Sequence, residues 1–200
     1  MIPRLKEAYS KEIQPALKES LGLKNIFMTP KVEKVVLNMG LGLDGADAKV
    51  LKACEEDMSK ITGQKPVITK FKKSVANFKT RKGTNAGLKV TLRKNKMYEF
   101  LDRLVNIALP RIKDFRGLSP KGFDNFGNYS FGINEHIDIP GVKYDPQIGI
   151  LGLGISVTLT RPGYSIRKRS KHKASVGKTH IINNQEAKDY LAKEYGVTIA

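Results

Sequence analysis

"KFKKSVANFKTRKGTNAGLKVTLR", residues 70–93, carries eight Lys and Arg and no Asp or Glu. Its second half alternates. Leu88, Val90 and Leu92 fall on one side, and Lys89, Thr91 and Arg93 on the other, the period of two expected of a half-buried strand. Its first half is basic and broken by two aromatics, Phe71 and Phe78. "KPVITK", residues 65–70, leads into it as another short strand. The two strands and the basic run between them read as a hairpin with a long loop.

Outward from this hairpin, the chain alternates helices and strands. "KVEKVVLNM", residues 31–39, reads as a strand with Val35, Leu37 and Met39 on one face and Lys34, Val36 and Asn38 on the other. Residues 46–62 read as a helix ended by Gly63, with an apolar stripe of Val50, Leu51, Cys54, Met58 and Ile61. Residues 4–21 read as a helix kinked at Pro15. Over 95–109, Met97, Phe100, Leu101, Leu104, Val105 and Ala108 follow helical spacing closely, and Pro110 disturbs the end. "NYSFGIN" and "GISVTLT" are further alternating strands, separated by the Pro/Gly loop chemistry of "HIDIPGVKYDPQIG". "NNQEAKDYLAKEYGV" reads as a capped helix, with Asn183 three residues before Glu186.

The expected fold class is therefore α+β: an antiparallel β-sheet with helices packed on one face and a long basic hairpin loop. Residues 1–160 form the single α+β domain, 161–182 a basic extended arm, and 183–200 a C-terminal helix and tail. The sheet's second face is left for a partner.

Charge indicates what that partner is. The chain has 36 Lys and Arg against 19 Asp and Glu, a net charge of +17 and a pI near 9.9, which points to a nucleic-acid binder. The charge is clustered. From Met58 through Tyr98 there are twelve Lys and Arg and no acid, whereas a merely solvated face mixes signs. Such density suits phosphate neutralisation, and Phe71 and Phe78 either stack on exposed bases or plug the hairpin base into the core. Residues 161–182 hold seven more Lys and Arg and no acid.

Other chemistries find little support. "GLGLDG", Gly40–Gly45, matches a dinucleotide-binding turn between strand and helix, but no acid ends the next strand to hold a ribose hydroxyl. A tight turn, its glycines letting backbone approach a neighbour, fits better. His136, His172 and His180 lack ligand spacing, and a single cysteine, Cys54, builds no thiolate site and no internal disulfide. No metal, cofactor or enzymatic activity is expected. "MIPRLKEAYSKE" is not a secretory signal, and the longest apolar stretch, "IGILGLGISVTL", is too short to cross a bilayer.

The motifs "VEKVVLNMGLG", "ITGQKPVITK", "KKSVANFKTRKG", "KVTLR", "MYEFLDRLVNIALPRIKDFRGL", "GNYSFGI" and "GISVTLT" occur in this order. Together they resemble the family of the bacterial-type large-subunit ribosomal protein number five, over about residues 1–160. The resemblance implies a structural protein of the cytoplasmic (or organellar) ribosome that docks 5S rRNA into the central protuberance. It implies a 5S rRNA surface at Asn38, Gln64, Phe78, Thr91 and Arg93. It further implies a basic loop (Lys79, Arg81, Lys82) reaching the P-site tRNA, and an intersubunit bridge to a small-subunit head protein. For the arm, Arg167, Lys168, Arg169, Lys171 and Lys173 are the expected contacts to large-subunit rRNA.

Two departures from the family pattern stand out. The loop reads "RKGTNAG" where the family commonly has a proline, so Asn85 and Ala86 are expected to loosen the tip. With no acid to pin Lys79, Arg81 and Lys82, the loop is expected to be mobile in the free protein. The basic tail after the last strand is closer to archaeal and eukaryotic relatives than to bacterial ones. A free RNA-binding regulator and a nucleotide-dependent enzyme using "GLGLDG" are the competing functions.

Overall fold

The computed structural model describes residues 2–160 apart from Asp114, Asn125, Phe126, Lys143 and Gln147. The predicted arm and C-terminal helix lie outside the described residues.

Alternation sets the sheet. Strand β1 (Lys31–Gly40) is central, and with β2 (Val67–Lys70), β3 (Asn85–Leu92), β4 (Tyr129–Ile133) and β5 (Leu153–Thr160) it forms one sheet in the order β2-β3-β1-β5-β4. Every pairing is antiparallel. Val35, Leu37 and Met39 of β1 and Leu88, Val90 and Leu92 of β3 are buried on one face, as their alternation requires. A register shift between Val32 and Lys34 turns Val32 inward as well, the effect of a bulge on side-chain direction.

Three helical runs cover that buried face. Helix α3 (Ala48–Thr62) begins at Asp47, whose carboxylate accepts the Lys49 N–H at 2.8 Å. It ends at Gly63, which takes the left-handed conformation (φ 64°). Its stripe of Leu51, Cys54, Met58 and Ile61 is buried. The other two runs share a device. Helix α1 (Arg4–Ala8) passes through a π-helical turn (Tyr9–Ile13) into α2 (Gln14–Ser20), and α4 (Lys94–Arg103) passes through another (Leu104–Ala108) into α5 (Leu109–Arg111). Each π-turn stands two residues ahead of a proline, Pro15 or Pro110. Proline has no N–H to donate and its ring crowds the carbonyl four residues back. Widening the preceding turn, with Gln14 N–H bonding Tyr9 O and Leu109 N–H bonding Leu104 O, lets each run continue. The kink expected at Pro15 is thus a π-turn, and the last run extends to Arg111 rather than stopping at 109.

At two of the expected site residues, strand boundaries differ from the sequence reading. β3 ends at Leu92, and Arg93 is the extended residue that caps α4, because the alternation runs one residue past the hydrogen-bonded ladder. β2 starts at Val67, so Gln64 lies in the turn ahead of it, where Thr62 Oγ1 donates to the Gln64 carbonyl at 2.9 Å.

"GLGLDG" forms a tight connection with a 3-10 turn at Asp44–Ala46. A Cβ on Gly45 would stand 3.0 Å from the Asn85 carbonyl oxygen, which is the close backbone approach expected of its glycines.

Candidate nucleic-acid interface

The face of the sheet away from the helices carries the alternate residues of each strand. On β1 these are Lys34, Val36 and Asn38; on β3, Lys89 and Thr91; on β5 and β4, Ser156, Thr158 and Ser130. No acid is among them. Asn38 stands in register with Lys89 on one side and Gly154 on the other, and Val36 with Thr91 and Ser156. Strands lie about 4.8 Å apart, so Asn38, Lys89 and Thr91 form one polar patch. Lys89 and Lys34 were not among the residues singled out from sequence. Their signal was the same period of two that puts Asn38 and Thr91 on this face; the resemblance, not the period, named those two as site residues.

The loop between β2 and β3 carries several backbone hydrogen bonds despite its uncompensated charge. Val75 and Thr80 exchange N–H···O bonds (3.1 and 3.2 Å), closing a four-residue tip that includes Asn77 and Phe78. Lys79 turns the chain with φ 52°. Below the tip, Lys82 N–H donates to Ser74 Oγ at 2.9 Å, Phe71 N–H to Thr84 O at 2.9 Å, and Gly83 N–H to Phe71 O at 2.9 Å. Asn85 and Ala86, expected to loosen it, open β3, and the Ala86 carbonyl accepts the N–H groups of both Leu41 and Gly42. Backbone bonds do what charge pairs do not. Lys79, Arg81 and Lys82 are exposed and have no salt bridge among the described residues. Phe78 is 71% exposed at the tip while Phe71 is half-buried.

The five residues expected to form one surface are distributed over three places. Asn38 and Thr91 share the open sheet face. Phe78 projects from the loop beyond the Gly40–Gly87 end of the sheet. Arg93 and Gln64 lie toward the opposite end, where Lys96 Nζ donates to the Gly63 carbonyl at 2.8 Å. Arg93 stands 3.9 Å from Glu33 with both side chains about half exposed, a pairing weak enough for a phosphate to replace. Gln64 borders a groove shared with Glu55, Glu56 and Lys65, and Lys65 pairs with Glu55 at 3.3 Å. Its surroundings are therefore mixed in charge, unlike those of Asn38, Lys89 and Thr91.

Candidate chemistry elsewhere is accounted for by packing. Cys54 is buried, and burial pushes its thiol up to about 11, so it is no nucleophile at neutral pH. His136 is buried with its Nδ1 3.2 Å from the backbone of Leu151. Among the described residues no group of three His, Cys, Asp or Glu is placed to hold a metal ion, and no helix is long and apolar enough to cross a membrane.

Comparison with known proteins decides the family. Residues 25–81 match the model for ribosomal protein L5, and residues 85–193 match the model for the ribosomal L5P family C-terminus. The large ribosomal subunit protein uL5 of Pelagibacter ubique (strain HTCC1062) is 78% identical over 160 residues, 80% of this chain and 87% of that protein. The chain belongs to the uL5 family. The uL5 of Nitrosopumilus maritimus (strain SCM1) is 56% identical over 169 residues, covering 84% of this chain and 92% of its own length. That of Clostridium tetani (strain Massachusetts / E88) is 52% identical over 160 residues, with 80% and 89% covered. uL5 proteins are structural ribosomal proteins of the large subunit and not enzymes, which removes the nucleotide-dependent reading of "GLGLDG". The two matched regions meet at the base of the basic loop. β2 from the first uL5 region pairs with β3 from the second, so both build one sheet.

Proposed function

We propose that this protein binds 5S rRNA in the large ribosomal subunit through its open sheet face and the loop tip beside it. The observation that carries this reading is the group of Lys34, Asn38, Lys89 and Thr91 brought together by strand register on the open sheet face, with Glu33 present only beside Arg93 at its far end. Lysines there neutralise phosphates, while Asn38 and Thr91 offer hydrogen bonds to ribose and base edges. Phe78 stacks on an exposed base. Arg93 and Gln64 extend the surface at its far end.

The finer roles follow the resemblance. Lys79, Arg81 and Lys82 contact the P-site tRNA from the loop. A separate surface meets a small-subunit head protein at an intersubunit bridge. Arg167, Lys168, Arg169, Lys171 and Lys173 touch large-subunit rRNA, and each phosphate engaged steepens the salt dependence of attachment by roughly 0.7–0.9 in log units.

Reconstitution with purified 5S rRNA, followed by footprinting, tests the main assignment. A Lys89→Ala, Asn38→Ala double variant should bind at least tenfold more weakly and lose its footprint. Wild-type affinity in that variant would remove the sheet face from the interface. Co-sedimentation with the large subunit after a high-salt wash separates a ribosomal constituent from a free regulator.

A further inference from the structure

Two exposed apolar side chains converge beside the loop. Leu43, in the connection after β1, is 55% exposed, and Phe78, at the loop tip, 71%. A lone exposed leucine needs no explanation. These two, however, line one cleft together with half-buried Phe71, and the cleft is bordered by Asn77 and Lys79.

We infer that this cleft receives a single unpaired RNA base turned out of its strand, with Leu43 a binding residue. The inference rests on the RNA-binding reading above and deepens it at Phe78, with Leu43 as the second wall of the site. A base has two apolar faces and a polar edge. An aromatic ring and an aliphatic side chain suit the faces, and the Asn77 amide suits the edge. Charge around the cleft selects the occupant. Lys72 and Lys73 lie on the same loop, which holds no acid between Phe71 and Thr84, and Asp44 follows Leu43 in the chain. That field holds the flanking phosphates of a nucleotide and offers little to an acid-and-base-mixed protein surface.

The cleft is also built before any ligand arrives. Its Leu43 side is tied to the start of β3 by the Leu41 and Gly42 N–H bonds to Ala86 O, at 3.1 and 3.2 Å. Its Phe78 side is held by the closed Val75–Thr80 pair. These backbone bonds reduce the ordering entropy that would oppose binding.

The test uses the full-length protein and 5S rRNA. It reads affinity across a salt series, together with the reactivity of unpaired bases toward dimethyl sulfate and carbodiimide. Wild type shields at least one unpaired base. Leu43→Ala weakens binding roughly five- to tenfold, leaves the salt slope unchanged because no cation is removed, and re-exposes that base. Leu43 is largely outside the core, and an unchanged unfolding midpoint verifies that the variant folds. Wild-type affinity with the same base still shielded in Leu43→Ala overturns this inference, while continued sensitivity to Lys89→Ala leaves the RNA-binding reading standing. Failure of the wild type to bind 5S rRNA overturns both.

Discussion

Gly87 packs against Met39 so closely that a Cβ built on it would overlap the Met39 carbonyl oxygen. The opposing atom is backbone and the backbone also fixes where the Cβ stands, so no side chain can swing away to relieve the contact. Gly87→Ala should therefore destabilise the fold by about 1–3 kcal/mol, the range for overpacking. Gly154 lies on the same open face, but its Cβ would stand 3.5 Å from Asn38 O, an ordinary contact. Gly154→Ala should be neutral or stabilise by up to about 1 kcal/mol. Urea unfolding of the two variants checks the contrast, and equal stability would refute the packing argument.

Cys54 gives a pH dependence of known sign. Burial first, and then the charge of Asp57, raise its thiol from 9.0 to about 11. Between these values the unfolded chain has lost the proton that the folded chain retains. Its contribution to stability is complete below pH 9 and is lost as pH rises toward 11. Denaturation midpoints of wild type should fall more steeply over that window than those of Cys54→Ala. Iodoacetamide should leave the native thiol unmodified at pH 8 and react fully in denaturant. Rapid native alkylation would contradict its burial.

Period-two patterning made β1 and β3 legible because burial of one face penalises any other register. Val35, Leu37 and Met39 and their partners on β3 had only one consistent arrangement. The same pattern carried Arg93 too far, since alternation is a property of side chains and the ladder's end is a property of hydrogen bonds. The strand order β2-β3-β1-β5-β4 has no local signal. The loop tip was hidden for another reason. Its turn places Lys79 at positive φ, a position where glycine or asparagine would have announced it. Leu43 was read only as part of a glycine turn, and its convergence with Phe78 depends on how β1 and β3 end side by side. Asn38 and Thr91 were legible as site residues through the family pattern, whereas Lys89 was visible in the alternation alone.

Aromatic and hydroxyl contacts to RNA should separate by size. Phe78→Ala removes a ring that is outside the core, and should cost about 1–3 kcal/mol of 5S rRNA affinity. Thr91→Ala removes one hydrogen-bonding group and should cost about 0.5–1.5 kcal/mol. Filter binding at fixed salt measures both. An unchanged affinity for Phe78→Ala would show that the tip does not stack on this RNA.

The loop cations should act on a different RNA from the sheet face. Lys79, Arg81 and Lys82 are exposed, and the backbone beneath them is held by the Val75–Thr80 pair and by Ser74. Changing all three to Gln removes charge without removing a hydrogen bond that holds the loop, because the bonds to Lys79 and Lys82 use their backbone N–H groups. The sheet-face lysines Lys34 and Lys89 remain. Binding of 5S rRNA should fall less than about threefold, while tRNA should dissociate faster from the peptidyl site, with a shallower salt dependence. Reconstituted large subunits carrying the triple variant, assayed for 5S rRNA content and tRNA dissociation, read both effects. Equal losses in the two measurements would make these three cations part of the 5S surface, and tRNA retention unchanged at all salt concentrations would remove them from the peptidyl site.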